Sequence, residues 1–338
     1  MWLFHSCIHG RITSGSFSQK RSRLQHPHVR MQVGDGCSRQ ALRWTESAEQ
    51  LAFIMRSTSK SDKARAHSYE YLYHRQLGSI AHRACDCLKN LDNNNNKQAR
   101  ARSTSECKPI RFLEIGLGCG MPWGAGASVE MWHGLFRPPL KLELHILEID
   151  EPCSKKWTAA HRTRATVHVG SQSSPADLDR LYNASGASPF DVVADDGSHR
   201  PQDQLVTLQH ALERRRVAPG GVYIVEDIMD SCLSWRGPSC FLDRYGNATL
   251  FAKVVDWQRD MSQGYVPLPG VRSINFFQEG VAFEVYANSD LGATRRADSP
   301  PLEEKRRGEH LHAPLEEKRR LRPRSVALAR APSRSPSG

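Results

Sequence analysis

Arg111-Phe112-Leu113-Glu114-Ile115-Gly116-Leu117-Gly118-Cys119-Gly120 is the stretch on which the fold turns. A short apolar run passing straight into closely spaced glycines reads as a buried strand that ends in a tight turn. A second such run, 142–149, follows and ends in Asp150. Further strand-like runs fall at 166–169, 190–194, 222–225, 273–277 and 281–286. Helical spacing occupies 69–91, 151–162, 175–184 and 202–216. Short strands alternating with helices predict a doubly wound, mostly parallel sheet. The last two runs are separated only by Gln278-Glu279-Gly280, so the sheet is expected to end in an antiparallel strand.

The glycine turn lets backbone approach a nucleotide-like ligand, and an acidic residue at the end of the second strand can accept hydrogen bonds from ribose hydroxyls. The G-x-G-x-G at 116–120 is shorter than the dinucleotide G-x-G-x-x-G. That disfavours NAD and suits an adenosine ligand without a pyrophosphate. A second chemical cluster follows the strand-like run at 190–194: Asp195-Asp196-Gly197-Ser198-His199. About thirty residues on, Pro219-Gly220-Gly221-Val222-Tyr223-Ile224-Val225 runs into Glu226-Asp227. Two strand ends thereby gather four carboxylates and an imidazole at the edge where open α/β sheets bind ligands. Such a group of carboxylates repels itself unless a cation joins it, and hard oxygen donors select Mg²⁺.

Glu114-Ile-Gly-Leu-Gly-Cys-Gly followed by Leu147-Glu148-Ile149-Asp150 resembles the class I S-adenosylmethionine-dependent methyltransferases. The resemblance implies a Rossmann-like seven-stranded sheet with S-adenosylmethionine at Gly116, Gly118 and Gly120. Glu114 would lie near the methionine end or order the loop. Asp150 would take the ribose, with Glu148 as the other choice, and the adenine contact would fall to Gln172 or to backbone, because Ser171 stands where many relatives carry Asp. The D-D-G-S-H and G-G-x-Y-x-x-E-D pair resembles, more narrowly, the metal-dependent macrolide-sugar O-methyltransferases and the wider cephalosporin-hydroxylase group. By that resemblance Asp195, Glu226 and Asp227 would bind Mg²⁺, Asp195 also lying beside the cofactor. His199 would be the general base, and Asp196 would either ligate the ion or support the base. Lys60-Ser61-Asp62-Lys63 with His67 and Tyr69 resembles the element that closes over the cofactor in these relatives. The implied reaction is O-methylation of a hydroxylated small molecule such as a sugar or a polyketide-type compound. A different class, an inactive cofactor-binding or scaffold protein with basic tails, is the alternative.

The remaining features bound the reading. The chain has 338 residues and a formal net charge of +11, but residues 1–60 and 295–338 carry +6 each and residues 61–294 carry −1. A nucleic-acid-binding domain is expected to carry its basic excess in the folded part, so nucleic acid is not expected as a partner. Residues 1–57 are expected to be a disordered or targeting extension, 58–292 the methyltransferase domain with a polar insert at 92–105, and 293–338 a disordered basic tail. No membrane span is expected. Nine cysteines without a C-x-x-C pair are expected to be reduced thiols. The location is then cytoplasmic, or organellar if the Arg/Ser-rich head is a transit peptide. Relatives are often oligomeric, so a homo-oligomer is open.

Overall fold

A computed structural model describes residues 42–92, 107–161 and 164–287. The tails expected to be disordered, the candidate transit peptide and nearly all of the polar insert lie outside these residues.

The sheet has seven strands: β1 Ile110–Ile115, β2 Leu142–Glu148, β3 Thr166–Val169, β4 Phe190–Asp195, β5 Val217–Val225, β6 Val271–Phe276 and β7 Val281–Val285. Their spatial order is β3-β2-β1-β4-β5-β7-β6. The first five run parallel, and β7 pairs antiparallel with both β5 and β6. The order reverses direction between β1 and β4, which opens a crevice at their carboxyl ends. Six of the helices are α1 Ala48–Thr58, α2 Tyr69–Asp92, α3 Ala127–Leu135, α4 Glu151–Ala160, α5 Pro175–Ala184 and α6 Pro201–Glu213. The seventh, α7 Leu250–Ser262, follows β5.

Both faces of the sheet are covered, and alternation along each strand divides the core into two layers. Phe112, Val192, Ala194, Val222 and Ile224 pack on the side of α1–α3, while Leu113, Val193, Tyr223 and Val225 pack on the side of α5–α7. Residues 42–57 belong to the first layer, which corrects the expectation of an unstructured segment there. Ser47 caps α1 by accepting from the Gln50 amide, and Leu51 and Met55 are buried along one face of the helix. Trp44 is buried too, its indole donating to the Leu135 carbonyl at 3.0 Å.

Pairs with both cysteines among the described residues stand at disulfide distance at Cys87–Cys107, Cys119–Cys153 and Cys232–Cys240. For these six the expectation of reduced thiols is corrected. The reason lies in topology: β1 and β2 are adjacent parallel strands, so the loop after β1 and the first turn after β2 meet at one edge and bring Cys119 to Cys153. No helix among the described residues is long and apolar enough to cross a membrane.

Candidate active site

A cavity of about 610 Å³ opens at the carboxyl ends of β1, β2 and β4. Its floor is the glycine loop. Gly116 sits at φ +100°, and a Cβ there would lie 2.4 Å from the carbonyl oxygen of Asp196, so only glycine lets the loop rest against the end of β4. Gly118 lines the cavity and Gly120 turns the chain behind it. Glu114 is fully buried beneath the loop rather than on the cavity wall. One of its oxygens accepts from Ser128 and from the indole of Trp132, at 2.7 and 2.9 Å. It therefore fixes the start of α3, the loop-ordering half of its expected role.

On the β2 side the wall is Glu148. Its carboxylate accepts from the Leu117 and Asp150 amides, each at 2.9 Å, and it faces the cavity with lone pairs to spare. Asp150 is exposed and caps α4, accepting from the Cys153 amide at 2.9 Å. Of the two acidic residues, Glu148 lines the cavity and Asp150 does not. Gln172 also borders the cavity, but its amide is taken up: it donates to Asp195 at 3.0 and 3.2 Å and accepts from the Ser198 amide at 2.6 Å. It anchors the 195–199 loop and has little left for an adenine.

The two adjacent aspartates separate completely. Asp195 still belongs to β4 and points into the core layer with Val193, fully buried, held by the Tyr223 hydroxyl at 2.9 Å and by Gln172. Burial pushes its carboxyl up to about 6, against the opposing hydrogen bonds. The expectation of Asp195 as a metal or cofactor contact is corrected: it does not reach the cavity. Asp196, one residue past the strand, turns into it.

Asp196, His199 and Asp227 offer ligand atoms within 4.8 Å of one another on the cavity wall. The His199 Nε2 lies 3.8 Å from Asp196 and 3.6 Å from Asp227, while its Nδ1 is buried without a hydrogen-bond partner. His199 and Asp227 both hold left-handed backbone, at φ +51° and +52°. Each such conformation costs about 1–3 kcal/mol and persists only where the surroundings impose it.

Glu226 is a further correction. It is 1% exposed, and both its oxygens accept from the ammonium of Lys63 at 2.7 Å while Oε1 also takes the Tyr73 hydroxyl. Of the expected metal trio, then, Asp227 alone faces the cavity. Two carboxylates facing one cavity still fit Mg²⁺, which commonly takes one or two protein carboxylates and completes its shell with water and substrate oxygen. Asp196 and Asp227 would hold it.

The segment between α1 and α2 closes the other side. Ser61, Asp62 and Lys63 line the cavity. The Tyr69 hydroxyl donates to Asp227 at 2.7 Å, and the ring of His67 stacks on Tyr69 at 5.1 Å. Contacts with Asp62 and Glu279 raise His67 to about 9 against the opposing effect of burial, so it is a cation at neutral pH and not a base. The Lys-Ser-Asp-Lys and His-x-Tyr motif marked this segment in the sequence, but the place of Lys63 among the carboxylates was not legible there.

The sheet order, the glycine loop after β1 and the acidic residue closing β2 now stand together. The fold is that of a class I methyltransferase. Among solved structures it is similar to the MycE methyltransferase of mycinamycin biosynthesis, solved with Mg, SAH and mycinamycin VI. That structure superposes with a TM-score of 0.51 at 20% identity, covering 75% of this chain and 57% of the other. Among curated proteins, demethylmacrocin O-methyltransferase of Streptomyces fradiae is 38% identical over 121 residues, 35% of this chain and 27% of that protein. Mycinamicin VI 2''-O-methyltransferase of Micromonospora griseorubida is 34% identical over 124 residues, again 35% and 27%. A tetracenomycin rhamnosyl 2'-O-methyltransferase of Streptomyces olivaceus is 33% identical over 126 residues. The matches thus span less than a third of these relatives' length. No family model matches the chain.

Proposed function

We propose that this methyltransferase-fold chain transfers a methyl group from S-adenosylmethionine to a hydroxyl of a small molecule of the sugar or polyketide class, with Mg²⁺ as the metal. The observation that carries the reading is the convergence on one cavity of the glycine loop, Glu148 and the Asp196–His199–Asp227 cluster. The sugar O-methyltransferases with partial identity support the acceptor class.

When bound, S-adenosylmethionine supplies an electrophilic methyl group and Mg²⁺ a charge that acidifies the acceptor hydroxyl. The chain supplies the rest. Glu148 would accept hydrogen bonds from the ribose hydroxyls, and the glycine loop would admit the cofactor close to backbone. Asp196 and Asp227 hold the metal. The Nε2 of His199 would take the proton of the acceptor hydroxyl while the methyl group passes from sulfur to oxygen, so that a methyl ether and S-adenosylhomocysteine would be the products.

Calorimetric titration of the full chain with S-adenosylmethionine, with and without Mg²⁺, followed by a methyl-transfer screen over hydroxylated glycosides and polyketides, tests this. Saturable cofactor binding, together with a Mg²⁺ heat and a methyl transfer that Asp196→Asn and Asp227→Asn both abolish, is the expected result. Cofactor binding with no transfer to any acceptor would favour the inactive cofactor-binding alternative. Absence of cofactor binding by the folded chain would overturn both.

A further inference from the structure

The glycine loop is fastened at its ends rather than along its length. The Leu117 amide donates to Glu148, and the Gly126 amide donates to the Leu117 carbonyl at 2.7 Å. Between these points the hydrogen bonds are local: the Met121 amide to the Gly118 carbonyl at 3.2 Å, and the Gly124 amide to the Met121 carbonyl at 3.0 Å. Gly118, Gly120 and Gly124 all hold positive φ, and a Cβ at Gly120 or Gly124 would meet no atom within 4 Å. A glycine-rich stretch so loosely surrounded has many conformations to lose when a ligand orders it.

Cys119 is the exception. Its sulfur is bonded to Cys153, in the first turn of α4 directly after β2. The bridge therefore joins the cavity wall that grows from β1, with Gly118 and Cys119, to the wall that grows from β2, with Glu148 and Ile149. The α4 end is firm, because Asp150 caps the helix through the Cys153 amide and both Ser154 and Trp157 are buried. Both cysteines are half-buried, so a thiolate can reach the bridge. Neither Cys87–Cys107 nor Cys232–Cys240 includes a residue that lines the cavity.

We propose that Cys119–Cys153 is a thiol–disulfide exchange site whose state sets the affinity of the cavity for its cofactor. The reacting partner is a dithiol. One of its thiolates attacks a sulfur of the bridge, the Cys119–Cys153 bond breaks, and a mixed disulfide forms; the second thiolate then displaces the remaining cysteine. The dithiol leaves as a disulfide, and the pair has gained two electrons and two protons as two thiols. The reverse step consumes a disulfide of the same class. With the bridge closed, the loop is already held across from Glu148, and binding has little left to order. With the bridge open, the ligand must order the glycine stretch itself, and affinity falls. The cofactor reading above supplies the identity of the ligand; the coupling of bridge to loop stands apart from it.

The test titrates the full chain calorimetrically with S-adenosylmethionine after equilibration with dithiothreitol or with its cyclic disulfide, and follows hydrogen exchange of residues 117–126 by mass spectrometry in both states. Reduction is expected to weaken binding about tenfold and to speed exchange of the loop amides by a similar factor, and reoxidation to restore both. Cys119→Ser/Cys153→Ser is expected to bind with the weaker affinity and to ignore dithiothreitol, which separates this bridge from the other cysteine pairs. If thiol labelling shows Cys119 and Cys153 opened while affinity and loop exchange stay unchanged, the proposal is overturned. A pair that cannot be cycled, closed in dithiothreitol or open in its disulfide, overturns it too, as does a double-serine variant that binds like the oxidised chain. If neither state binds S-adenosylmethionine, the cofactor reading fails and loop exchange decides about the bridge: faster exchange on reduction supports it, and equal exchange overturns it.

Discussion

Asp195 and Asp196 are adjacent in sequence and opposite in role, and substituting each by Asn separates them in solution. Asp195 is fully buried, and its carboxyl is raised from an ordinary 3.8 to about 6, chiefly by burial. The folded state therefore binds a proton more readily than the unfolded state, and between about pH 4 and pH 6 folding carries an extra proton. Stability from this group is greatest below pH 4 and is lost as pH rises through about 6. A displacement of about two pH units, at about 1.4 kcal/mol each, makes the ionised Asp195 cost about 3 kcal/mol at pH 7. Asp195→Asn keeps the shape and removes the ionisation. The stability of the variant relative to the wild type should then rise by about 3 kcal/mol between pH 4 and pH 7, measured by urea unfolding at each pH. Cofactor binding at pH 7 should be retained, since the side chain does not reach the cavity. Parallel stability curves for the two proteins, or a folded Asp195→Asn chain that no longer binds S-adenosylmethionine, would refute the reasoning.

Other substitutions probe the cavity wall. Glu148→Gln should weaken S-adenosylmethionine binding by roughly 10- to 100-fold, the worth of hydrogen bonds to a charged acceptor, whereas Asp150→Asn should change it less than about threefold; calorimetry distinguishes them. Gly116→Ala places a Cβ against the Asp196 carbonyl at φ +100°, and urea unfolding should register a loss of at least about 2 kcal/mol. The double variant Cys119→Ser/Cys153→Ser opens a loop spanning 34 positions and should lower the unfolding free energy by about 3–4 kcal/mol; a loss below about 1 kcal/mol would mean the glycine loop is held without the sulfurs. His199→Ala should slow methyl transfer about 10²- to 10⁴-fold with cofactor affinity unchanged, and equal loss of both would remove it from the role of base.

What the sequence made legible was local. The glycine loop announces itself because its residues act within one turn, and the apolar runs set the strand bounds to within two residues at most ends, although β5 begins five residues before its run. Where side-chain direction decided the matter, the sequence was ambiguous. In Asp195-Asp196 the last residue of β4 follows the strand alternation into the core, and the carboxylate reaches the cavity only once the strand has ended. Asp150-Glu151-Pro152 carries an N-cap residue with Pro in the first turn, a signal that Asp150 serves α4, while Glu148 is the acidic residue that lines the cavity. α7 went unread, although Thr249 caps it and Leu250, Ala252 and Val254 are buried. The cysteine pairs and the lysine among the carboxylates depend on which loops meet across the sheet, and that is set by topology rather than by neighbours in the chain.

The Lys63–Glu226 contact joins positions 163 residues apart. During synthesis the lysine emerges early and its carboxylate partners on β4 and β5 late, so the ion cluster cannot close until most of the sheet exists. Long-range closures of this kind are formed slowly and last. A chain halted anywhere before the end of β5 therefore lacks the buried carboxylate that Lys63 engages.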